Sequence, residues 1–373
     1  MSNSFIEGIK RNLVNILGWR TNRKIVVFES DDWGMIRTSS ISAFNELKND
    51  YPLEKCAYSS NDALERDVDI LGLLEIFNNN KSSAYQNNTP KLTLNYVMFN
   101  PDFDKISNGG FNNYHRESLN NTYSKYLQSD NVLKIVQEGI LNEVFIPQFH
   151  STEHVNINNW MLALRNGDPD TLKAFHFDMA NLHKQNHSNC QKEYLDAFGY
   201  RQTKCFESLD KTVAVGLNEF NRVFAFQAKT MISPCYIWDD DLESAAMDNG
   251  IIAFQGSTVQ KVPIKEGFKK RRHFMGQKGR NGQRYFIRNC HFERVNNPNK
   301  DWVDSCLADI ETAFTYNKPA IISTHRVNYI GRLKESNRTL GLKELDLLLK
   351  EINKRWPDME YLSTSELLDK YYN

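Results

Sequence analysis

Two histidines four residues apart, in the segment HSTEH at 150–154, have the spacing needed to bind one metal ion. Imidazole nitrogens are common ligands for zinc and related ions, and residues four apart lie on one helix face or within one tight loop. A second pair, His183 and His187, is followed by Cys190 and offers equally suitable ligand types. It lies in a polar stretch with no strand before it, where exposed histidines are common. We therefore favour the first pair.

Two adjacent carboxylates, Asp31 and Asp32, follow the apolar run KIVVF at 24–28. Ionised carboxylates are costly to bury unless a cation or hydrogen bonds compensate them. One interpretation is that Asp31 caps a helix while Asp32 is solvated. Taken with His150 and His154, the pair instead predicts a site in which Asp32 and both histidines bind a metal and leave positions open for water. Asp31 would then accept the proton.

A further histidine, His325, follows the apolar run PAIIST. A lone histidine is more often structural, but at the end of a strand it is also a candidate general acid, which must be protonated and close to the leaving group. Two arginines, Arg37 and Arg288, are candidates to pair with Asp31 and keep it ionised. Each is equally compatible with an exposed position on the surface.

Three aromatic residues adjoin these segments: Trp33, Tyr236 and Trp238. The face of a pyranose is apolar and matches an aromatic ring, so all three are candidate substrate contacts. Packing in the hydrophobic core is the commoner role of any single aromatic residue.

The residues named so far lie just after short apolar runs that predict buried strands. The predicted strands are 24–28, 92–99, 143–146, 223–232, 251–254, 285–288 and 320–324. Helical periodicity falls at about 61–79, 129–140, 157–165, 206–222, 239–249, 302–315 and 340–353. Alternating strands and helices predict an α/β fold with a parallel sheet or barrel, in which the carboxyl ends of the strands carry the chemistry.

Two segments interrupt this alternation. The polar, histidine-rich stretch at about 166–205 is interpreted as an inserted helical excursion, and the basic run at about 269–284, around Asn281-Gly282, as a β-hairpin. We treat 1–373 as a single catalytic domain that carries both. The basic run is suited to an anionic glycan or phosphate, although such runs are more often solvated loops.

The composition excludes several classes of function. Lys plus Arg equals Asp plus Glu at 46 each, so no net field attracts nucleic acid or an anionic membrane. Only His273 and Phe274 interleave the basic run with aromatic rings, too few for a nucleic-acid surface. The absence of an 18-residue apolar run or a signal-peptide pattern predicts no membrane span, and six scattered cysteines favour a cytoplasmic location.

Four segments in chain order carry a family resemblance: FESDDWG at 28–34, HSTEH at 150–154, SPCY at 233–236 and STH at 323–325. They resemble the successive motifs of the polysaccharide deacetylase superfamily, carbohydrate esterase family 4. The resemblance extends over 24–330, with insertions between the first and second motifs and after the second. It implies a distorted (β/α) barrel and metal-dependent removal of an N- or O-linked acetyl group from a carbohydrate, with zinc as the usual metal.

By position, the resemblance assigns a role to each of five residues. It implies that Asp31 is the general base, that Asp32, His150 and His154 are the metal ligands, and that His325 is the general acid.

The sequence departs from the family pattern at three places. An arginine normally stands two residues before the proline of the third motif, where this chain has Ile232. Ser323 stands where a leucine is usual, which alters the expected pocket for the acetyl methyl group. The fourth motif has no clear counterpart, although Asn289, His291 and Glu293 lie in the expected region.

Together these features predict a metal-dependent hydrolase that deacetylates a saccharide or glycan precursor by metal-activated water. Two alternatives stay open. A glycoside hydrolase on a related barrel would need a nucleophilic carboxylate, for which Glu29 and Glu153 are the candidates. A non-catalytic glycan-binding protein that retains the metal site would explain the missing arginine at position 232.

Overall fold

A computed structural model describes residues 3–81, 89–183, 193–200 and 207–371, and at its centre lies a mainly parallel β-sheet. The strands are β1 Ile25–Trp33, β2 Leu92–Val97, β3 Phe99–Pro101, β4 Arg116–Ser118, β5 Phe145–Ser151, β6 Thr230–Ile232, β7 Ala253–Gly256, β8 Val259–Ile264, β9 Gly267–Arg272, β10 Gln277–Lys278, β11 Arg284–Ile287, β12 Cys290–His291, β13 Ala320–His325 and β14 Glu360–Tyr361. Their order in the central sheet is β10-β11-β7-β6-β5-β2-β1-β13-β12, with β14 beside the start of β1.

Helices alternate with these strands along the chain. They are α1 Asn3–Asn15, α2 Ile41–Leu47, α3 Ala57–Asn61, α4 Asp67–Asn79, α5 Phe103–Asn108, α6 Leu119–Lys125, α7 Val132–Leu141, α8 Ile157–Arg165, α9 Pro169–Phe175, α10 Leu209–Phe224, α11 Asp240–Asp248, α12 Trp302–Thr315, α13 Glu335–Arg355 and α14 Thr364–Tyr371. Each of the seven segments with helical periodicity contains a helix, and all seven predicted strands are present in part. The prediction of an α/β fold with a parallel sheet is confirmed.

The structure shows the expected parallel sheet but, among the residues it describes, does not show a closed barrel. The path of hydrogen-bonded strands runs from β10 to β12, and no pairing joins these two ends in the part of the chain that the structure describes. No helix within the described ranges is long and apolar enough to cross a membrane.

Strand β1 is at the centre of the core and is buried along its whole length. Its apolar half, Ile25 to Phe28, belongs to the main hydrophobic core, as the near-continuous apolar run of a buried parallel strand requires. Its polar half, Glu29 to Asp32, is equally buried. Burial of three carboxylates in one strand is tolerated only where cations or donors face them.

Two β-bulges interrupt the sheet at the residues of interest. Between Ser30 and Trp33 of β1, two aspartates stand opposite the single residue Asn95 of β2. Between Phe149 and Ser151 of β5, the pairing with β2 shifts by one residue, so that His150 is the extra residue. Bulges re-aim side chains at the cost of local pairing, and they are frequent beside active sites.

Three sequence-based predictions about elements need correction. The segment 223–232 is mostly not strand, because α10 continues to Phe224 and only Thr230–Ile232 joins the sheet. Within the described part of 166–205 the one helix is α9. The basic run at 269–284 belongs to two hairpins: β9 pairs with β8, and the Asn281-Gly282 turn joins β10 to β11. The turn between β8 and β9 ends at Gly267, whose φ of 110° is a backbone conformation that glycine adopts readily because it has no Cβ.

Candidate metal centre

The structure brings Asp32, His150 and His154 together at the carboxyl edge of the sheet. The Nε2 atoms of His150 and His154 lie 3.2 and 3.4 Å from Oδ1 of Asp32, and one ligand atom from each residue falls within 4.8 Å of the others. All three side chains are buried. Among the described residues this is the one group of three or more histidine, cysteine or acidic side chains with metal-binding geometry.

The spacing of the ligand atoms fits a small divalent cation. Two ligands at about 2.0–2.1 Å from a tetrahedral zinc ion are separated by about 3.3 Å. The two distances from the Asp32 oxygen, 3.2 and 3.4 Å, bracket that value. The Asp/His/His set therefore has both the chemistry and the spacing to hold a small divalent cation.

The hydrogen bonding of His150 strengthens this fit. Its Nδ1 donates to the backbone carbonyl of Ile232 at 2.8 Å, and because a carbonyl only accepts, Nδ1 carries the hydrogen. In the neutral ring, Nε2 then presents a lone pair to the Asp32 oxygen 3.2 Å away. Two acceptors at that distance repel unless a proton or a cation lies between them, and a backbone carbonyl behind the ring is typical support for a metal ligand.

The neighbouring groups keep these ligands in the protonation states that a metal needs. Burial opposes ionisation of Asp32, but the two histidine rings beside it outweigh burial and hold the pKa of that carboxyl well below its usual value. Burial lowers the pKa of His154, which favours the neutral ring. The Nδ1 atom of His154 is buried with no hydrogen-bond partner among the described residues, so its orientation rests on packing, including an edge contact with His150 at 5.0 Å between centroids.

Asp31 lies beside this centre and is fixed by two donors. The Arg288 guanidinium donates to both carboxylate oxygens, at 2.5 and 2.7 Å, and Asn95 donates at 2.8 Å. Burial would raise the pKa of Asp31, but Arg288 outweighs it and lowers that pKa to about 2. Asp31 is therefore an ionised and oriented acceptor at neutral pH.

Arg288 supplies the cation that pairs with Asp31. Position 232 holds isoleucine, whose carbonyl accepts from His150, while Arg288 approaches Asp31 from the end of β11. Its Nε also donates to Glu29 at 2.6 Å, so one buried guanidinium serves two carboxylates. Of the two arginines proposed to pair with Asp31, Arg288 is the one that does so.

The other arginine, Arg37, contacts different groups, which corrects that part of the prediction. Its Nε donates to Asp62 at 3.1 Å, and its Nη2 lies 3.7 Å from Oδ2 of Asp32. Asp62 also accepts from Arg326 at 3.0 Å, and Arg326 donates to Glu65 at 2.6 Å. These contacts form a buried ionic network beside Asp32.

His325 is paired with two carboxylates. Its Nδ1 lies 2.6 Å from Glu293, and its Nε2 lies 3.6 Å from Oδ2 of Asp31. Burial would lower the pKa of His325, but Glu293 and then the two aspartates outweigh it and raise that pKa to about 9. Tyr58 covers the ring edge at 5.5 Å between centroids. The imidazole is therefore a cation at neutral pH, with Nε2 directed toward Asp31.

The ionisable groups of this region carry an excess of negative charge. When all are ionised, six carboxylates face three guanidiniums and one imidazolium, which leaves two negative charges, the amount that one divalent cation neutralises. The carboxylates are Glu29, Asp31, Asp32, Asp62, Glu65 and Glu293, and the cations are Arg37, Arg288, Arg326 and His325.

The proposed aromatic contacts divide into two kinds. Trp33 and Trp238 are 0% and 1% exposed, and their indole nitrogens donate to Ser30 and Glu243 within the protein. Rings buried in this way have no free face for a sugar, so core packing is the correct interpretation for both. Tyr236 is partly exposed and interacts with Arg288, so it alone of the three stays a candidate substrate contact.

The rival histidine pair lies partly outside the described residues. His183 is buried, and its Nδ1 is 2.9 Å from Glu193. His187 and Cys190 fall in the stretch that the structure does not describe. A metal site at this pair stays a prediction.

The two glutamates considered as glycosidase nucleophiles are each held by an arginine. Glu29 pairs with Arg288 and also accepts from Thr364, while Glu153 pairs with Arg116. Both side chains are buried. A nucleophile must be free to attack the sugar, so this geometry does not favour a glycoside hydrolase.

Several residues that contact the candidate site could not be singled out from the sequence. Asn95, Asp62 and Arg326 carry no motif signal, because polar residues next to apolar runs are common and only the fold shows them to be buried. Glu293 lay in the region expected for the fourth motif, where it was one of three candidates. Of those three it is the one that contacts His325, while Asn289 bonds to Asn15 and the backbone near Pro319.

Comparisons with known proteins give only remote structural likenesses. No family profile and no curated protein sequence matches the chain. Solved structures that align with it include the 4-alpha-glucanotransferase from Thermococcus litoralis, at 10% identity and a TM-score of 0.46, covering 94% of this chain and 41% of that one. The Xyl-CE4 domain of a multidomain xylanase from the hindgut metagenome of Trinervitermes trinervoides aligns at 10% identity and a TM-score of 0.38, covering 93% and 91%.

A CE4 family pseudoenzyme from Bacillus anthracis aligns at 10% identity and a TM-score of 0.39, covering 94% of this chain and 66% of that one. Identities near 10% with TM-scores below 0.5 leave the assignment of function to the geometry of the site.

Proposed function

We propose that this protein is a metal-dependent hydrolase that removes an N- or O-linked acetyl group from a saccharide or glycan precursor. The observation that carries the proposal is that the pair Asp31 and His325 adjoins the candidate metal ligands. Asp31 lies 3.6 Å from His325, and its neighbour Asp32 shares the metal centre with two histidines. This combination supports a reaction in which a metal, an acceptor and a donor of protons would act on one acyl group.

The metal centre would be formed by Asp32, His150 and His154, with zinc as the expected ion. When bound, such a cation polarises an acyl carbonyl and lowers the pKa of water. His150 is held for this role by the carbonyl of Ile232, and Arg37 and the Asp62 network support Asp32 from behind.

Asp31 and His325 would carry the proton transfers. A carboxylate with a pKa of about 2 is a weak base in bulk water, so Asp31 acts by accepting a hydrogen bond from the attacking water and taking its proton as the carbonyl is attacked. His325, with its pKa raised to about 9, is protonated at neutral pH and would donate from Nε2 to the departing amine or alcohol. Tyr236 lies beside Arg288 at the same edge and would contact the substrate.

Substitution of the ligands tests the proposal. We expect Asp32→Ala, His150→Ala and His154→Ala each to lose bound metal, measured by elemental analysis, and to release acetate from acetylated saccharides more slowly. The rate should fall by more than about 100-fold, the upper range of losses for groups that merely support a metal ligand. His183→Ala is the matched control and should keep both.

The same measurements separate the alternatives. Full activity in any one of the three ligand variants would refute the metal assignment. New reducing ends without acetate would indicate a glycoside hydrolase, and saccharide binding without turnover in the metal-loaded protein would indicate a non-catalytic binder.

A further inference from the structure

A second feature at the same edge of the sheet is the hairpin formed by β8 and β9, residues 259–272. Its two strands form a separate two-stranded sheet. The hairpin contains six basic residues and one acidic residue, although the whole chain has no net charge. The basic residues are Lys261, Lys265, Lys269, Lys270, Arg271 and Arg272, and the acidic one is Glu266.

The register of the hairpin sorts these cations onto two faces. Lys261 stands directly opposite Lys270, and Arg272 stands opposite Val259, two residues along the same face. None of Lys261, Lys270 and Arg272 has a carboxylate partner within the described ranges, and the latter two are exposed. On the other face, Arg271 pairs with Asp240.

The hairpin is attached to the loop that carries Tyr236. Ile237 forms a β-bridge with Lys261, and the backbone nitrogen of Trp238 donates to the Lys261 carbonyl at 3.2 Å. The strand before the hairpin, β7, ends at Gly256, whose carbonyl accepts from the backbone of Arg288 at 2.8 Å. The base of the hairpin therefore adjoins the loop that carries Tyr236 and the backbone of Arg288.

Two lysines directly opposite each other destabilise an antiparallel pair of strands. An anion bound between them would offset this repulsion. A phosphate ester carries up to two negative charges and several acceptor oxygens, so it matches two ammonium groups and a guanidinium better than a single carboxylate does.

From this arrangement we infer that the face formed by Lys261, Lys270 and Arg272 binds a phosphate or diphosphate group attached to the saccharide substrate. The inference rests on the proposed deacetylase function, because the phosphate would belong to the saccharide substrate of that reaction. A diphosphate ester linked to a nucleoside and one linked to a lipid share this chemistry.

Binding of inorganic pyrophosphate, measured by calorimetry in a His154→Ala background, isolates the hairpin from the metal centre. We expect Lys261→Glu combined with Lys270→Glu to weaken binding roughly tenfold, since two attractive ion pairs become repulsive. In this variant the two opposed residues still carry like charges, so the repulsion between the two strands stays as it is in the unmodified protein. Lys265→Glu combined with Lys269→Glu makes the same change of net charge at the tip and on the other face, and should weaken binding less than twofold.

In the protein with an intact metal centre, the Lys261/Lys270 variant should raise KM for a diphosphate-linked acetylated sugar and leave turnover of a neutral acetylated sugar unchanged. A soluble nucleoside-diphosphate sugar and vesicles carrying a lipid-diphosphate sugar distinguish the two sources. Equal weakening by both double variants, or tighter binding of oligogalacturonate than of pyrophosphate, would overturn the inference. Failure of acetate release with pyrophosphate binding intact would overturn the proposed function alone.

Discussion

At the scale of single residues, the chemistry depends on pairs whose members alter one another's pKa. Arg288 and burial act in opposite directions on Asp31, and the arginine prevails. Burial lowers the pKa of His325, but Glu293 and Asp31 both raise it and prevail, so that His325 is a cation at neutral pH. A base that stays ionised and an acid that stays protonated over the same pH range are what an acyl hydrolase needs.

The variant Glu293→Gln tests the acid. His325 has a pKa raised to about 9 from an ordinary value of 6.5, so the proton that it donates is present below that pH and is lost as the pH rises through 9. Activity should therefore decline above about pH 9. Removal of the Glu293 charge, the largest of the groups that raise this pKa, should move the decline to lower pH by about one to three units, as seen in the pH dependence of kcat.

Glu344→Gln is the control for this experiment, because Glu344 pairs with Arg294 in the segment that follows Glu293. It removes the same charge from a glutamate that does not contact His325, and the pH profile should not move. An unchanged profile in Glu293→Gln would show that His325 is not the acid.

At the scale of elements, two bulges decide where the ligands point. Asp32 has a φ of 72°, a left-handed conformation that is unfavourable for a residue with a side chain. In a regular strand, Asp31 and Asp32 would point to opposite faces of the sheet. The bulge in β1 lets both reach one centre, and the bulge in β5 does the same for His150.

Helix α10 supports the second bulge through a close approach at Gly216. A Cβ at this position would lie 2.2 Å from Oγ1 of Thr152 and 2.9 Å from the Phe149 ring, so the helix packs tightly against β5. We expect Gly216→Ala to lower the free energy of unfolding, measured with urea, by about 1–3 kcal/mol. It should also weaken metal binding, because Phe149 and Thr152 flank His150 and Ser151.

Gly8→Ala provides a matched comparison in another helix. A Cβ there meets no atom within 4 Å, so only the helix propensity changes, and stability should rise by about 0.5–1 kcal/mol. A Gly216 variant as stable as this one would mean that the contact with β5 is not tight.

At the scale of the whole molecule, we expect the buried ionic groups to link metal binding to folding. The carboxylates around the centre outnumber their cationic partners by two, and a bound divalent cation would neutralise that excess. Metal binding is therefore expected to contribute to the stability of the fold as well as to catalysis.

Thermal unfolding tests this link. At a zinc concentration one hundred times Kd, the folded state should gain about 2.7 kcal/mol, and the melting temperature should rise accordingly. A chelator should reverse the gain. His154→Ala should abolish it and His183→Ala should retain it, whereas the opposite pattern would assign the metal to the segment around His183.

Much of the fold could be predicted from the sequence because its signals are local. The run KIVVF indicates a buried strand, and helical periodicity identified the segments that became α8 and α12 at the predicted bounds. The strand at 223–232 was largely wrong because aromatic and β-branched residues near the end of α10 imitate a strand. Propensity is weaker than tertiary packing in such segments.

The sequence by itself determined which residue types stand at the strand ends, and hence the candidates Asp31, Asp32, His150, His154 and His325. Only the tertiary structure decided which partner each one has. It paired Asp31 with Arg288 rather than Arg37, buried Trp33 and Trp238, and directed Glu293 to His325. These contacts join residues far apart in the chain, so strand order, register and bulges fix them, and none of these is encoded in local spacing.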